Sequence, residues 1–153
     1  MPAKIIDILN QMLFTSIYEK SSLLNEDFFV KLTSLENLIL SNNKLSQLDK
    51  TTFKGLTQLW NLDIRKNGLC SLDATLFAGL ENLKNLYLRE NKLTQLDEPT
   101  FRGLGKLERL DLSNNILSSL DASIFADLTS LKYLYLSENK LTQLDETIFQ
   151  GLN

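Results

Sequence analysis

With 153 residues, 43% of them hydrophobic and 23% charged, the chain has the make-up of one globular domain. A formal net charge of −3 with interspersed signs argues against nucleic acid or an anionic membrane as partner, since both call for clustered Lys and Arg. The absence of histidine excludes Ser–His and Cys–His catalytic pairs and histidine metal sites, and the single cysteine, Cys70, excludes an internal disulfide and a cysteine-rich zinc site.

Along residues 3–20 the apolar side chains Ile5, Ile6, Leu9, Met12, Leu13 and Ile17 follow the spacing of an amphipathic helix, with Pro2 suited to its first turn. This predicts an N-terminal helical cap over residues 1–31 that merges into a degenerate half repeat, in which Phe29 aligns with Phe53. Asp7, Asn10 and Gln11 interrupt the apolar run that a signal peptide needs. No stretch approaches the roughly 20 apolar residues of a membrane span, and no Asn-x-Ser/Thr acceptor occurs. The expected setting is intracellular.

From residue 32 one pattern recurs every 24 residues, giving units 32–55, 56–79, 80–103, 104–127 and 128–151 and the start of a sixth. Leucines occupy positions 1, 4, 7, 14 and 17 of each unit, and Leu or Ile occupies position 9. Positions 7 and 9 have the period-2 spacing of a half-buried strand, predicted to run four or five residues. Position 12 is always asparagine (Asn43, Asn67, Asn91, Asn115, Asn139), an amide able to satisfy backbone groups where the strand ends. Position 22 is always phenylalanine, predicting a packed spine of Phe53, Phe77, Phe101, Phe125 and Phe149. Position 18 is always aspartate, a column better explained by capping of turns, as in Asp97-Glu98-Pro99-Thr100, than by cation binding. Cys70 stands where other units carry Ser or Thr, with no base to activate it.

The consensus Leu-x-x-Leu-x-x-Leu-x-Leu-x-x-Asn-x-Leu-x-x-Leu-Asp-x-x-x-Phe-x-Gly resembles the leucine-rich repeat family in its 24-residue form, over about residues 24–153. The resemblance implies an α/β solenoid: a right-handed horseshoe with a parallel concave sheet and short helical or 3₁₀ turns on the convex side, usually a protein-binding scaffold. The chain departs from secreted members in lacking cysteine-rich caps. It is similar instead to leucine-rich-repeat effectors that intracellular bacteria inject into host cells, where such a protein masks or inhibits a host protein or a second effector enzyme. The alternatives are an extracellular recognition or receptor fragment and the substrate-recruiting part of a larger enzyme.

If the leucines face inward, positions 5, 6, 8, 10 and 11 face solvent on the concave sheet. The only Trp, three of the four Tyr and three of the four Arg fall there. These residue types dominate binding hot spots, because they bury large area and keep a polar handle. The candidate partner-binding residues are Ile39, Trp60, Asp63, Arg65, Lys84, Tyr87, Arg89, Arg109, Asp111, Tyr133 and Tyr135. Arg65 and Arg89 are expected to meet an acidic group of the partner, Asp63 and Asp111 a basic one. No cofactor is implied and no catalytic pair stands out. The leucines at the C-terminal end are a second expected contact, for dimerisation or a partner.

Overall fold

A computed structural model describes Phe29, residues 32–150 and Leu152. The expected N-terminal helix lies outside these residues. The described chain coils into a parallel-sheet solenoid, each coil adding one strand: β1 (Asn37–Ile39), β2 (Asn61–Asp63), β3 (Asn85–Tyr87), β4 (Arg109–Asp111) and β5 (Tyr133–Tyr135). The strands pair in chain order with a constant 24-residue offset, Leu38 beside Leu62, Leu62 beside Leu86, Leu86 beside Leu110 and Leu110 beside Leu134.

Each strand is regular over three residues, shorter than the expected four or five. Its hydrogen-bond ladder runs on, with the Leu40 N–H donating to the Asp63 carbonyl at 2.7 Å and the Asn42 N–H to the Arg65 carbonyl at 2.9 Å. What ends it is position 11, where Asn42, Lys66, Glu90, Asn114 and Glu138 all take positive φ, between 53° and 61°. That left-handed conformation turns the chain out of the sheet.

The turn is held by the asparagine column. The Asn91 amide donates to the carbonyls of Ile64 (3.1 Å) and Leu88 (2.9 Å) and accepts from the Leu69 N–H (3.3 Å). Asn115 donates to Leu88 (3.1 Å) and Leu112 (3.0 Å) and accepts from Leu93 (3.1 Å), one coil further along. Asn67, Asn91, Asn115 and Asn139 thus each bond their own coil and the one before it, locking successive coils at fixed register.

The convex side departs from the expected run of short helices. It consists of hydrogen-bonded turns, such as the Thr52 N–H to the Asp49 carbonyl and the Ile124 N–H to the Asp121 carbonyl. The one described helix is a single 3₁₀ turn over Glu98–Phe101, where Pro99 presets a helical φ. Capping holds for four aspartates: Asp49, Asp73, Asp121 and Asp145 each accept the backbone N–H and the hydroxyl of the Thr or Ser two residues on. Asp97, the example that looked clearest, makes no such side-chain bond, because Pro99 has neither N–H nor hydroxyl to offer. In the four, those hydrogen bonds hold the carboxyl below the usual range. Both bonds fall on Oδ1, so each carboxylate serves its own turn.

Inside, the leucines of adjacent coils form one continuous core. Phe29, Phe53, Phe77, Phe101 and Phe125 line up beneath the convex turns with centroid spacings of 6.2–6.4 Å. Phe149 does not share that burial: it is 46% exposed, as no described coil covers it. Sequence reading also passed over position 21, where Thr52, Leu76, Thr100, Ile124 and Ile148 are all buried. Its tolerance of both Thr and Ile hid it among the variable positions. The Thr100 hydroxyl has no hydrogen-bond partner there. Thr100→Val, the same shape without the hydroxyl, is therefore expected to stabilise the protein by about 1 kcal/mol, read as a higher urea midpoint at unchanged m.

Candidate protein-binding face

The period-2 pleat points residues 6 and 8 of every unit, and the flanking residues 5 and 10, away from the leucine core and onto the concave face. Trp60 (40% exposed), Tyr133 (49%) and Tyr135 (40%) are large rings left open to solvent. Ile39, Tyr87, Arg109 and Asp111 are half-buried on the same face, and Lys84 and Arg89 are exposed. The candidate residues thus belong to one surface.

The charges on that surface are largely satisfied within the chain. Asp63 is only 5% exposed and is gripped by Arg65 at 2.6–3.1 Å through both Nε and Nη2. That pairing holds the Arg65 guanidinium more firmly protonated than usual. The same guanidinium lies 5.3 Å from the centre of the Tyr87 ring. Arg89 pairs with Glu90 at 3.0 Å, while Asp111 accepts from the Ser113 N–H at 3.0 Å and from its hydroxyl. Asp63 and Asp111 therefore serve first as intramolecular acceptors, and Arg65 and Arg89 already have carboxylates.

At the N-terminal ends of the strands runs an open groove of about 630 Å³, lined by Glu36, Gln58, Trp60, Asn82, Lys84 and Glu108 among others. Lys132 donates to Glu108 at 2.7 Å, and the two hold each other charged: the carboxyl of Glu108 is lowered and the ammonium of Lys132 raised. Lys84 reaches the same carboxylate at 4.0 Å. Glu36 and Glu108, at position 5, fall on the face expected from sequence though outside the candidate binding set, whereas Gln58 and Asn82 were not expected there. Gln58 and Asn82 sit at position 3, two residues before the strand face, and only the coil geometry swings them onto the groove. Beside it, the Lys106 ammonium donates to Asn82 at 2.7 Å.

Among the described residues no cluster of His, Cys, Asp or Glu suits a metal ion, and no helix is long and apolar enough to cross a membrane. Cys70 is exposed on a loop, and its thiol is 3.5 Å from the Gly68 carbonyl.

A short-stranded parallel solenoid with an asparagine at every turn and an open concave sheet defines a repeat protein of the leucine-rich class. The Leucine rich repeat profile matches residues 22–69, 59–117 and 106–153, and the chain belongs to that family. No curated protein sequence matches it. Among solved structures it is similar to a chain of the TLR13–ssRNA13 complex, with 33% identity and a TM-score of 0.79 over 84% of this chain. It is similar as well to a chain of the Toll–Spatzle complex of Drosophila, at 33% identity and a TM-score of 0.74 over 79% of this chain. In a glycosylated form of that complex the values are 30%, 0.79 and 84%. The chain spans only 18%, 16% and 19% of those chains.

Proposed function

We propose that this chain is a non-enzymatic recognition module that binds another protein across its concave sheet. The observation carrying this is the gathering of Trp60, Tyr133 and Tyr135 on one five-stranded face, each ring at least 40% exposed. Large aromatic rings left open beside arginines are the usual anchors of protein interfaces. The sheet is a rigid platform for them, so little ordering entropy is lost on binding.

Two settings follow from two kinds of likeness. The repeat pattern is similar to that of injected bacterial effectors that mask or inhibit a target. The solved structures it resembles at 30–33% identity are complexes of TLR13 and Toll. The latter likeness supports the recognition segment of a longer receptor-like protein over the effector. The reading frame surrounding these residues discriminates them, a signal peptide and cysteine-rich caps indicating the receptor.

The binding reading itself is tested by affinity capture followed by titration of the captured protein. Trp60→Ala and Tyr133→Ala are each expected to weaken binding by about 1–4 kcal/mol with unchanged circular dichroism. Wild-type affinity in both variants would remove the concave face from consideration.

A further inference from the structure

Six cations stand on the concave face, and five have a carboxylate within 4.0 Å: Arg65 with Asp63, Lys66 and Arg89 with Glu90, Lys84 and Lys132 with Glu108. Arg109 has no such carboxylate among the described residues. Its guanidinium lies instead 4.4 Å from the centre of the Tyr133 ring and 5.6 Å from that of Tyr135, and Nη1 donates to the Tyr135 hydroxyl at 2.8 Å. The pairing of β4 with β5 places Arg109 directly beside Tyr133.

The cause is a local difference between two related coils. In β2 the acid at position 8 is followed at position 10 by arginine, and Asp63 and Arg65 neutralise each other. In β4 the acid is Asp111, but position 10 is Ser113, whose N–H and hydroxyl occupy the carboxylate. Arg109, which also flanks Asp111, is left to the two rings. Of its five N–H donors one is used by Tyr135, so the rest of the fork is open. A guanidinium held against aromatic faces is fixed in orientation and weakly hydrated, which lowers the cost of binding an anion.

We propose that Arg109, clasped by Tyr133 and Tyr135, is the subsite for a side-chain carboxylate in an acidic segment of the partner protein. This rests on the concave-face reading and names the partner's chemistry within it. A single carboxylate suits the site better than a phosphate dianion, because Glu108, just before β4, and Asp111, at its end, flank Arg109 and oppose the larger charge more strongly. The fork geometry matches a carboxylate bidentately, and the partner's neighbouring apolar groups rest on the tyrosine rings.

The test is a phage selection of random 12-residue peptides on the full chain, followed by titration of the strongest peptide. Enrichment of Asp and Glu is expected. Arg109→Gln should weaken that peptide about ten- to hundredfold, with Arg109→Lys intermediate, and replacing the peptide's acids by their amides should weaken it equally for the wild-type protein. The amide peptides keep the test valid if Arg109→Gln misfolds. Should Trp60→Ala weaken the peptide while Arg109→Gln and the amides leave it within about twofold, the acidic subsite is refuted and the face reading stands. If none of these changes matters, both fall. An unenriched or empty selection, a more than tenfold preference for a phosphorylated version of the peptide, or displacement of the peptide by a single-stranded RNA 13-mer would each overturn the assignment.

Discussion

Phe101→Ala is expected to cost about 3–5 kcal/mol, while Phe149→Ala, the same change at the same repeat position, should cost less than about 1 kcal/mol. Phe101 is packed between Phe77 and Phe125 at centroid distances of 6.3 and 6.4 Å and is essentially inaccessible to water. Its removal loses the transfer free energy of a ring and leaves a cavity bounded by two stacked neighbours that cannot both collapse into it. Phe149 is 46% exposed, so truncation removes mostly solvated surface and opens no void. Urea unfolding followed by fluorescence measures the difference conveniently, because Trp60 is the only tryptophan and lies on the sheet, away from the phenylalanine spine. Equal losses in the two variants would mean that Phe149 is covered in solution.

The contrast shows what periodicity conveys and what it leaves out. Leucine spacing announced the coil, the sheet and its register, because a 24-residue repeat forces equivalent residues to stack. The asparagine column was legible for the same reason, since a side-chain amide can both donate and accept at such a turn. Periodicity treats all copies alike, however, and the departures come from context. Phe149 differs from Phe101 by having no described coil over it. Asp97 differs from Asp49 by one downstream residue, Pro99 in place of Thr51. At the candidate face the identity of the exposed residues was readable from the pleat, but their charge state was not. Whether an arginine is free depends on which residue of the same coil takes the position-8 acid from position 10, where Arg65 captures Asp63 and Ser113 captures Asp111. The groove residues Gln58 and Asn82 were invisible to strand alternation because they precede the strand.

Asn115→Ala is expected to cost about 2–5 kcal/mol, comparable with Phe101→Ala, although it deletes far fewer atoms. Asn115 is 5% exposed, and its amide is the partner of the Leu88 and Leu112 carbonyls and of the Leu93 N–H. Alanine leaves the Leu93 N–H unpaired in a place closed to water, at about 1–3 kcal/mol, and takes one of two amide donors from each of the Leu88 and Leu112 carbonyls, which keep those of Asn91 and Asn139, at about 0.5–1.5 kcal/mol each. Asn115→Asp separates the donor from the acceptor role. It keeps an oxygen for the Leu93 N–H but sets carboxylate oxygen against two carbonyls and buries a charge, so at neutral pH it should be no better than alanine. Burial and the facing carbonyls raise the folded-state pKa of that aspartate above its unfolded value of about 3.9. Its penalty is then present at neutral pH and relieved as pH falls through the folded pKa, where the protonated acid donates again. Urea midpoints of Asn115→Asp and wild type across pH 4–8 should converge on the acid side. A constant gap over that range would show that the column stabilises by packing rather than by its hydrogen bonds. The same variant carries a functional consequence, because Asn115 ties the coil of β4 to the coil of β3. Weakening that tie loosens the strand on which Arg109 and Asp111 are displayed, so at neutral pH partner affinity should fall with stability in Asn115→Asp, and its ratio to wild-type affinity at the same pH should recover as pH falls.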